Sequence, residues 1–581
     1  MTDATADVVI YGTDSDVPDS DPDPIVIEQL IREFDESVAN DLLRRLTHID
    51  FDHEYDVPVY DIFSHQVWRD GGQLHEESPF SMELLVLLYR RLEPEVATAD
   101  RIETVGVGGR FLDLVRDLAA NEGVALVVKD QPTESITDGS VRRDAFKWVP
   151  VVLFDMFVSL IIRVLLRGST AAVLVLYPAF RPETFRPIES HLDVDYDGTF
   201  PVLTLSYLKT YRSLFSEGMQ TVPIHCFETV RGFVSQCRFS LAFARDIRCR
   251  RTERLAIDAV QAETGIRLDR TVGTLYHRAA ASNFAHCLRY GCSRRAFERT
   301  DYETLLVPSS GGLAKAIALG AQETGVDVFL LPHTIYHQYA APEACYPHAR
   351  FVEGTITREP VGMADEVDAI ETGLPKLLSI RDRATSLEPT CDADQIVVGT
   401  QPYDDDRRRE FVSDVVLAAL TDTDFDVVIK IHPAEHSEFY EALLTELELS
   451  EAKRDRVRVT DGDLYQLITD SELMVTISSN VGLESVILGT PTISYNKWAP
   501  DIRTPLYATL GSVPHITAPA ELSEFLSELE LSRLLESQDQ MLDRQYLVRH
   551  NSLGSISETI ANELRSSVDG SATESLESRS E

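Results

Sequence analysis

The chain is predicted to be an α/β protein: two Rossmann-like domains, each a doubly wound parallel sheet, facing a cleft. Three observations predict it. Short apolar runs alternate with amphipathic stretches of helical length through most of the 581 residues. Hydrophobic residues make up 44% and charged residues 26%, the proportions of a chain that folds around a core. Several apolar runs end in Gly, Ser or His-Pro just before a helical stretch, the place where parallel sheets hold ligands.

The alternation is clearest in three places. Residues 102–107 read as a strand, 108–109 as a turn, 110–121 as a helix and 124–128 as the next strand. Residues 304–307, 309–312, 313–324 and 326–331 repeat that sequence of strand, turn, helix and strand. A third set opens at 395–400 and continues through strands at 427–431, 457–459, 473–477 and 492–495. The domain plan that follows has an acidic start at 1–24, expected to be disordered, in which a Pro-rich linker at 12–24 follows a strand-like run at 8–11. An N-terminal α/β domain covers 25–385 and a C-terminal one 386–565. A Ser- and Glu-rich tail, 566–581, is expected to be disordered. The polar stretch 378–394 lacks a strand signal and is read as a hinge. Residues 522–562 are helical by pattern and could pack against or cross back to the first domain.

Acidic residues number 95 against 54 Lys and Arg, a net charge of −41. That argues against a nucleic-acid binder, since such a surface repels phosphates unless a local basic cleft exists. Only eight of the basic residues are Lys. Abundant Asp and Glu with little Lys fits a cytoplasm rich in salt, where a Debye length of about 3 Å at ~1 M screens the self-repulsion. Seven Cys without a CxxC pair give neither a disulfide framework nor a zinc site, so a reducing cytosol is expected, and no metal. The N-terminus has no basic or apolar region of a secretory signal.

Val149 to Leu166 reads VPVVLFDMFVSLIIRVLL, near the lower length limit of a membrane span. Asp155 and Arg163 lie inside it, each costing roughly 2.5–3.5 kcal/mol at a bilayer centre. A buried helix leading into a strand at 171–177 is the first reading. An interfacial helix making peripheral contact at the inner face of the membrane is the second, and a true span the third.

The chemistry concentrates in the C-terminal set. One strand ends in Lys430, then His432-Pro433; another ends in Ser478-Ser479-Asn480, with a helix following. Small hydroxyl residues at a helix start cap backbone N–H groups and also make an anion pocket. Gly482 would allow close approach of a ligand. Glu484, one turn in, could accept hydrogen bonds from a ribose diol, and His432 could bond a phosphate or a nucleobase. Ser-Ser at a helix start is in the first instance only a cap, and His-Pro alone says little; together, on strand ends of one domain, they are more specific. Ser309, Ser310, Gly311 and Gly312 form a second candidate anion pocket, or a plain cap. Gly106, Gly108 and Gly109 approach a dinucleotide fingerprint, but Phe111 breaks the spacing, so no NAD site or other cofactor is expected. Arg408, in the run 407–409, suits phosphate; Asp404 to Asp406 just before it suit local neutralisation.

KIHP and ISSNVGLESVILGTP resemble the C-terminal half of GT-B-fold glycosyltransferases. The nearest groups transfer sialic acid or 3-deoxy-octulosonate in capsule and surface-polysaccharide synthesis. CDP-glycerol glycerophosphotransferases and UDP-N-acetylglucosamine 2-epimerases are more distant. The resemblance implies that His432 and Pro433 match a nucleotide-binding HP motif, Ser478 and Ser479 a Ser/Thr pair, Glu484 an acidic residue of the next helix, and Lys430 an often basic position. Upstream, LLVPSSGGLAKAIALGAQETGVDVFLLPHTIYHQ resembles the last βαβ unit of the N-terminal domain, with His333 followed by Thr334 where the family often has Gly. VVGTQPYDDDRRREF resembles the first strand and loop of the C-terminal domain. The likeness covers about 301–520.

It implies a metal-independent transferase that takes a nucleotide-sugar donor, CMP- or UDP-linked or similar, and a glycan or lipid-linked acceptor. An epimerase, a glycerophosphotransferase or a non-catalytic partner protein are the alternatives. The N-terminal side would hold the acceptor and the base. His333 is the first candidate for the base and Asp197, in the turn-like Asp195-Tyr196-Asp197-Gly198, the second.

The charge gives a first prediction. The melting temperature should rise steadily from dilute buffer to ~2 M potassium chloride. A melting temperature indifferent to salt would overturn the reading of the charge as a solvent adaptation.

Overall fold

The computed structural model describes residues 8–12, 17–18, 24–32, 82–129, 171–176, 185–192, 196–199, 224, 229–232, 234–235, 238, 251–308, 312–332, 348–358, 368–389, 394–498, 502, 504–548 and 551–577. Three sheets lie within them, and every strand pairing is parallel. The first contains β1 (Val8–Tyr11), β2 (Ile25–Val26), β3 (Arg101–Val105) and β4 (Ala125–Lys129) in the order β2-β1-β3-β4. The second contains β5 (Val173–Leu176), β6 (Tyr196–Thr199), β7 (Thr304–Val307), β8 (Asp327–Leu330), β9 (Ala349–Val352) and β10 (Asp368–Glu371), ordered β10-β9-β8-β7-β5-β6. The third contains β11 (Gln395–Gly399), β12 (Asp426–Lys430), β13 (Val457–Thr460), β14 (Leu473–Thr476), β15 (Thr492–Tyr495) and β16 (His515–Ile516), ordered β13-β12-β11-β14-β15-β16.

The α/β class with parallel sheets is thus what the chain adopts. Its central strands are short β-branched runs buried on both faces, such as VLVL in β5 and QIVVG in β11, as strands covered on both sides must be. The strand-like run at 8–11 is part of the first sheet, between β2 and β3, so that sheet adds a unit ahead of the other two.

A 29-residue helix, Asp269–Phe297, links the first sheet to the second. At its start Asp117, on helix Gly109–Glu122, accepts from the backbone N–H of Arg270 at 2.9 and 3.0 Å and of Thr271 at 2.9 Å. A carboxylate supplied by another element thus does the work of a missing N-cap, because Leu268 has no capping side chain. Near its end Ser293 donates to the Ile317 carbonyl at 2.5 Å. Gly320, on helix Gly312–Gln322, lets that helix touch this one, since a Cβ there would lie 2.6 Å from the Tyr290 carbonyl.

Three sequence expectations change here. The hinge read at 378–394 begins as helix: Pro375–Ala384 buries Leu377, Leu378 and Ile380, an apolar stripe that the polar composition around it conceals. The turn read at 195–198 is strand β6, because Tyr196 packs into the core. The tail from 566 continues as helix, since the last helix runs Leu553–Glu577.

That last helix crosses back. Ile560, Ala561 and Leu564 share one apolar core with Val173 and Val175 of β5, Phe351 of β9, and Leu483 and Tyr507 of the C-terminal domain. Thr304 of β7 donates to the Leu564 carbonyl at 3.4 Å, and Arg565 donates to the His191 carbonyl. Among the described residues no helix is long and apolar enough to cross a membrane; residues 149–166 lie outside them.

Ile560 is fully buried in this seam. Ile560→Ala should cost about 2–5 kcal/mol of unfolding free energy, read by denaturant titration in high salt. A loss below about 0.5 kcal/mol would show that the last helix does not cover the second sheet.

Candidate functional site

Numbered from its own first strand, the third sheet has the order 3-2-1-4-5-6. Its switch point lies between β11 and β14, and in open parallel sheets ligands bind outside the carboxyl ends of the strands at such a point. The sequence-predicted residues of this domain gather around that point.

Ser478 follows β14. Its backbone N–H donates to Gln401 Oε1 at 2.8 Å, and its hydroxyl lies 2.7 Å from the Tyr403 hydroxyl and 3.3 Å from Gln401 Nε2. Gln401 and Tyr403 belong to the loop after β11. The two strands on either side of the switch point are therefore stitched together by side chains. Ser479 is the N-cap of helix Asn480–Leu488: its hydroxyl accepts from the Val481 N–H at 3.3 Å. Asn480 is the first residue of that helix and is half-buried. The reading of the serine pair as a cap thus holds for Ser479, while Ser478 is turned into the polar mesh.

His432 follows β12. Its backbone N–H donates to Thr400 Oγ1 at 3.0 Å and to Glu435 Oε2 at 2.9 Å. Its ring Nδ1 accepts from the Ala434 N–H at 3.1 Å, which in the neutral ring places the hydrogen on Nε2. Thr400 also donates to Glu435 at 2.5 Å. His432 and Ser478 are therefore fixed from one loop, His432 through Thr400 and Ser478 through Gln401 and Tyr403. Pro433 is exposed in the same turn.

Glu435 is the buried anchor of this turn, its side chain 1% exposed. Arg408 Nη1 lies 3.5 Å from it. Arg408 also pairs with Asp405 and sits 4.3 Å over the Phe439 ring. Arg408 is thus held by carboxylates and an aromatic face, the local neutralisation that Asp404 to Asp406 suggested. Lys430 donates to the carbonyls of Ile431 at 2.9 Å and Asp461 at 3.3 Å, and burial pushes its pKa down.

Glu484 is 3% exposed and paired with Lys376 at 2.6 Å, with the Tyr465 hydroxyl donating to it at 3.2 Å. Lys376 comes from helix Pro375–Ala384, on the N-terminal side. Gly482 serves packing rather than a ligand: a Cβ there would lie 2.5 Å from the Tyr507 hydroxyl, which donates to the Ser479 carbonyl at 2.7 Å. This corrects the expectation that Gly482 makes room for substrate.

Asp197 is not brought to this site. It lies in β6, is 3% exposed, and accepts from the Tyr302 hydroxyl at 2.7 Å. Tyr302 precedes β7, so this contact lies at the amino end of the second sheet, away from the carboxyl ends where parallel sheets hold ligands. A carboxylate buried there and already bonded does not reach an acceptor. His333, Ser309, Ser310 and Gly311 lie outside the described residues. Among the described residues no cluster of His, Cys, Asp or Glu is placed to hold a metal ion.

Thr400, Gln401, Tyr403, Glu435 and Lys376 were not singled out from sequence. TQPY after the first strand of the domain was the available signal, but its meaning depends on strand order.

Residues 358–497 match a family model described as "Putative glycosyltransferase (DUF6716)", a stretch that contains His432, Ser478 and Glu484. No curated protein matches the chain. Among solved structures, the wall teichoic acid polymerase TagF is 11% identical, covering 75% of this chain and 100% of its own, with a TM-score of 0.36. UDP-GlcNAc 2-epimerase from Methanocaldococcus jannaschii is 13% identical, covering 68% of this chain and 99% of its own, with a TM-score of 0.40. The enzyme of that name from Neisseria meningitidis, bound to UDP-GlcNAc, is also 13% identical over 68% of this chain and 99% of its own, with a TM-score of 0.41. These low scores carry no argument about function; the family model's glycosyltransferase description bears on the segment that holds the site.

Proposed function

We propose that this protein is a glycosyltransferase that binds a nucleotide-activated sugar at the carboxyl ends of β11, β12 and β14. The observation that supports it is the mesh of Gln401, Tyr403 and Ser478 at the switch point, beside the start of helix Asn480–Leu488. A helix start favours an anion, and hydroxyl and amide groups around it give directed hydrogen bonds. The match of 358–497 to a glycosyltransferase family model supports the same reading.

In this reading the donor phosphate lies against the first turn of that helix, between Ser478 and Ser479 and the His432 ring. The acceptor hydroxyl comes from a glycan or a lipid-linked glycan on the N-terminal side. His333, the residue after Pro332 where the chain leaves β8 at its carboxyl end, takes the acceptor proton. The acceptor oxygen bonds to the sugar carbon as the bond from that carbon to the phosphate oxygen breaks. The nucleotide leaves with the electron pair, its charge stabilised by the helix start and the hydroxyl groups.

Thermal-shift measurements in ~2 M potassium chloride with CMP, CDP, UMP, UDP, GDP and NAD test this. One nucleotide at about 100 times its Kd should add roughly 2.7 kcal/mol of stability, and Ser478→Ala with Ser479→Ala should abolish the shift. No shift with any nucleotide would leave Ser479 as a helix cap and Ser478 as a tie between loops, with no donor role for either. His432→Ala should weaken that nucleotide about 2- to 12-fold, the range of one lost hydrogen bond. Unchanged affinity would remove His432 from the site.

A further inference from the structure

The turn that carries His432 is closed three times, and each closure ends on His432 itself. Residues 432–435 form a β-turn in which the His432 carbonyl accepts from the Glu435 N–H at 2.9 Å. Pro433 takes its second position, where a preset φ suits the turn and no backbone N–H is needed. The Glu435 carboxylate then reaches back and accepts from the His432 N–H at 2.9 Å. The Ala434 N–H donates to the ring at Nδ1, 3.1 Å away. Glu435 supplies the first two closures, one from its backbone and one from its side chain.

The same carboxylate joins the turn to the loop after β11. Thr400 donates to Glu435 Oε2 at 2.5 Å, and the Thr400 oxygen accepts from the His432 N–H at 3.0 Å. The other carboxylate oxygen faces Arg408 Nη1 at 3.5 Å, and the Glu435 side chain is 1% exposed. A buried carboxylate is a costly way to hold a turn, since it gives up its hydration for partners inside the protein. Small polar side chains hold turns at the surface without that penalty. What the acid adds here is capacity: one oxygen takes hydrogens from two separate loops. Without it the His432 backbone has a single tie to Thr400, and the ring's bond to Ala434 loses the closed turn that aligns it.

We propose that Glu435 is a positioning residue for His432, setting the place and the tautomer of its ring for donor binding. The proposal rests on the donor site described above and adds the buried group that prepares one side of it. No covalent bond changes and no proton leaves the site.

Calorimetry with the nucleotide that binds, in ~2 M potassium chloride, tests it first. Glu435→Ala should weaken that nucleotide by the factor that His432→Ala does, about 2- to 12-fold, and by less than about twofold more when His432 is already Ala. Glu435→Gln, whose amide offers an oxygen to the His432 N–H and an N–H to Thr400, should restore most of the affinity. Nitrogen NMR of protein labelled at histidine, at pH ~8 where a free ring is neutral, gives a second reading, with His432 assigned by its absence in His432→Ala. The wild-type ring should carry its hydrogen on Nε2 alone, and Glu435→Ala should show both tautomers. A merely structural acid would lower the melting temperature and leave the tautomer unmoved. Glu435→Leu replaces the alanine variant if that one does not fold. Wild-type affinity in the variant, factors that multiply in the double variant, or an unmoved tautomer overturns the positioning role and leaves the donor site standing. Absence of binding by every nucleotide overturns the donor site, and the spectra then still decide whether Glu435 sets the ring.

Discussion

The architecture depends on one apolar seam. The chain leaves the second sheet, builds the whole third sheet, and then returns to lay its final helix against β5 and β7. Ile560, Ala561 and Leu564 on that helix, Phe351 on the second sheet, and Leu483 and Tyr507 beside the candidate site form a single core. Gly354 shows how tight the return is: a Cβ there would run into the Gln545 carbonyl. The two larger units are therefore packed together, and the position of helix Asn480–Leu488 is set partly from the N-terminal side.

That packing explains the character of the site. A helix start and a switch point occur in many α/β proteins and alone show no chemistry. Here the loops at the switch point are tied to one another by side chains: Ser478 to Gln401 and Tyr403, and His432 through Thr400 and Glu435. Polar groups held this way favour one arrangement, because Thr400, Glu435 and Ser478 are buried and losing their partners would leave them unsatisfied. The fixed groups are those that, in the proposed function, a donor phosphate and its nucleoside would meet.

How much of this was legible in the sequence varied with the kind of signal. Strands such as 304–307 and 492–495 were readable because a doubly covered strand must be an unbroken apolar run. The placement of His432, Ser478 and Ser479 just past strand ends was readable because strand-end motifs are local. Strand order is not local, and so Gln401 and Tyr403, which matter only because β11 lies beside β14, passed unnoticed. The same limit hid Gly482, whose need for a bare backbone comes from Tyr507, 25 positions on. Asp197 failed for a different reason: Tyr-Asp-Gly has the composition of a turn, but Tyr302 and the core around Tyr196 hold it as a strand.

The returning helix also has a consequence for synthesis. The second sheet gains its last strand at Glu371, yet the side chains that close it arrive with Ile560, some 190 residues later. At roughly 5–20 residues per second, a ribosome needs on the order of 10–40 s to make them. Throughout that interval the emerging chain presents an open apolar sheet face while the third sheet is already free to form. A nascent protein of this design needs a holding factor at the exit tunnel, or must postpone ordering its middle sheet until the chain is complete.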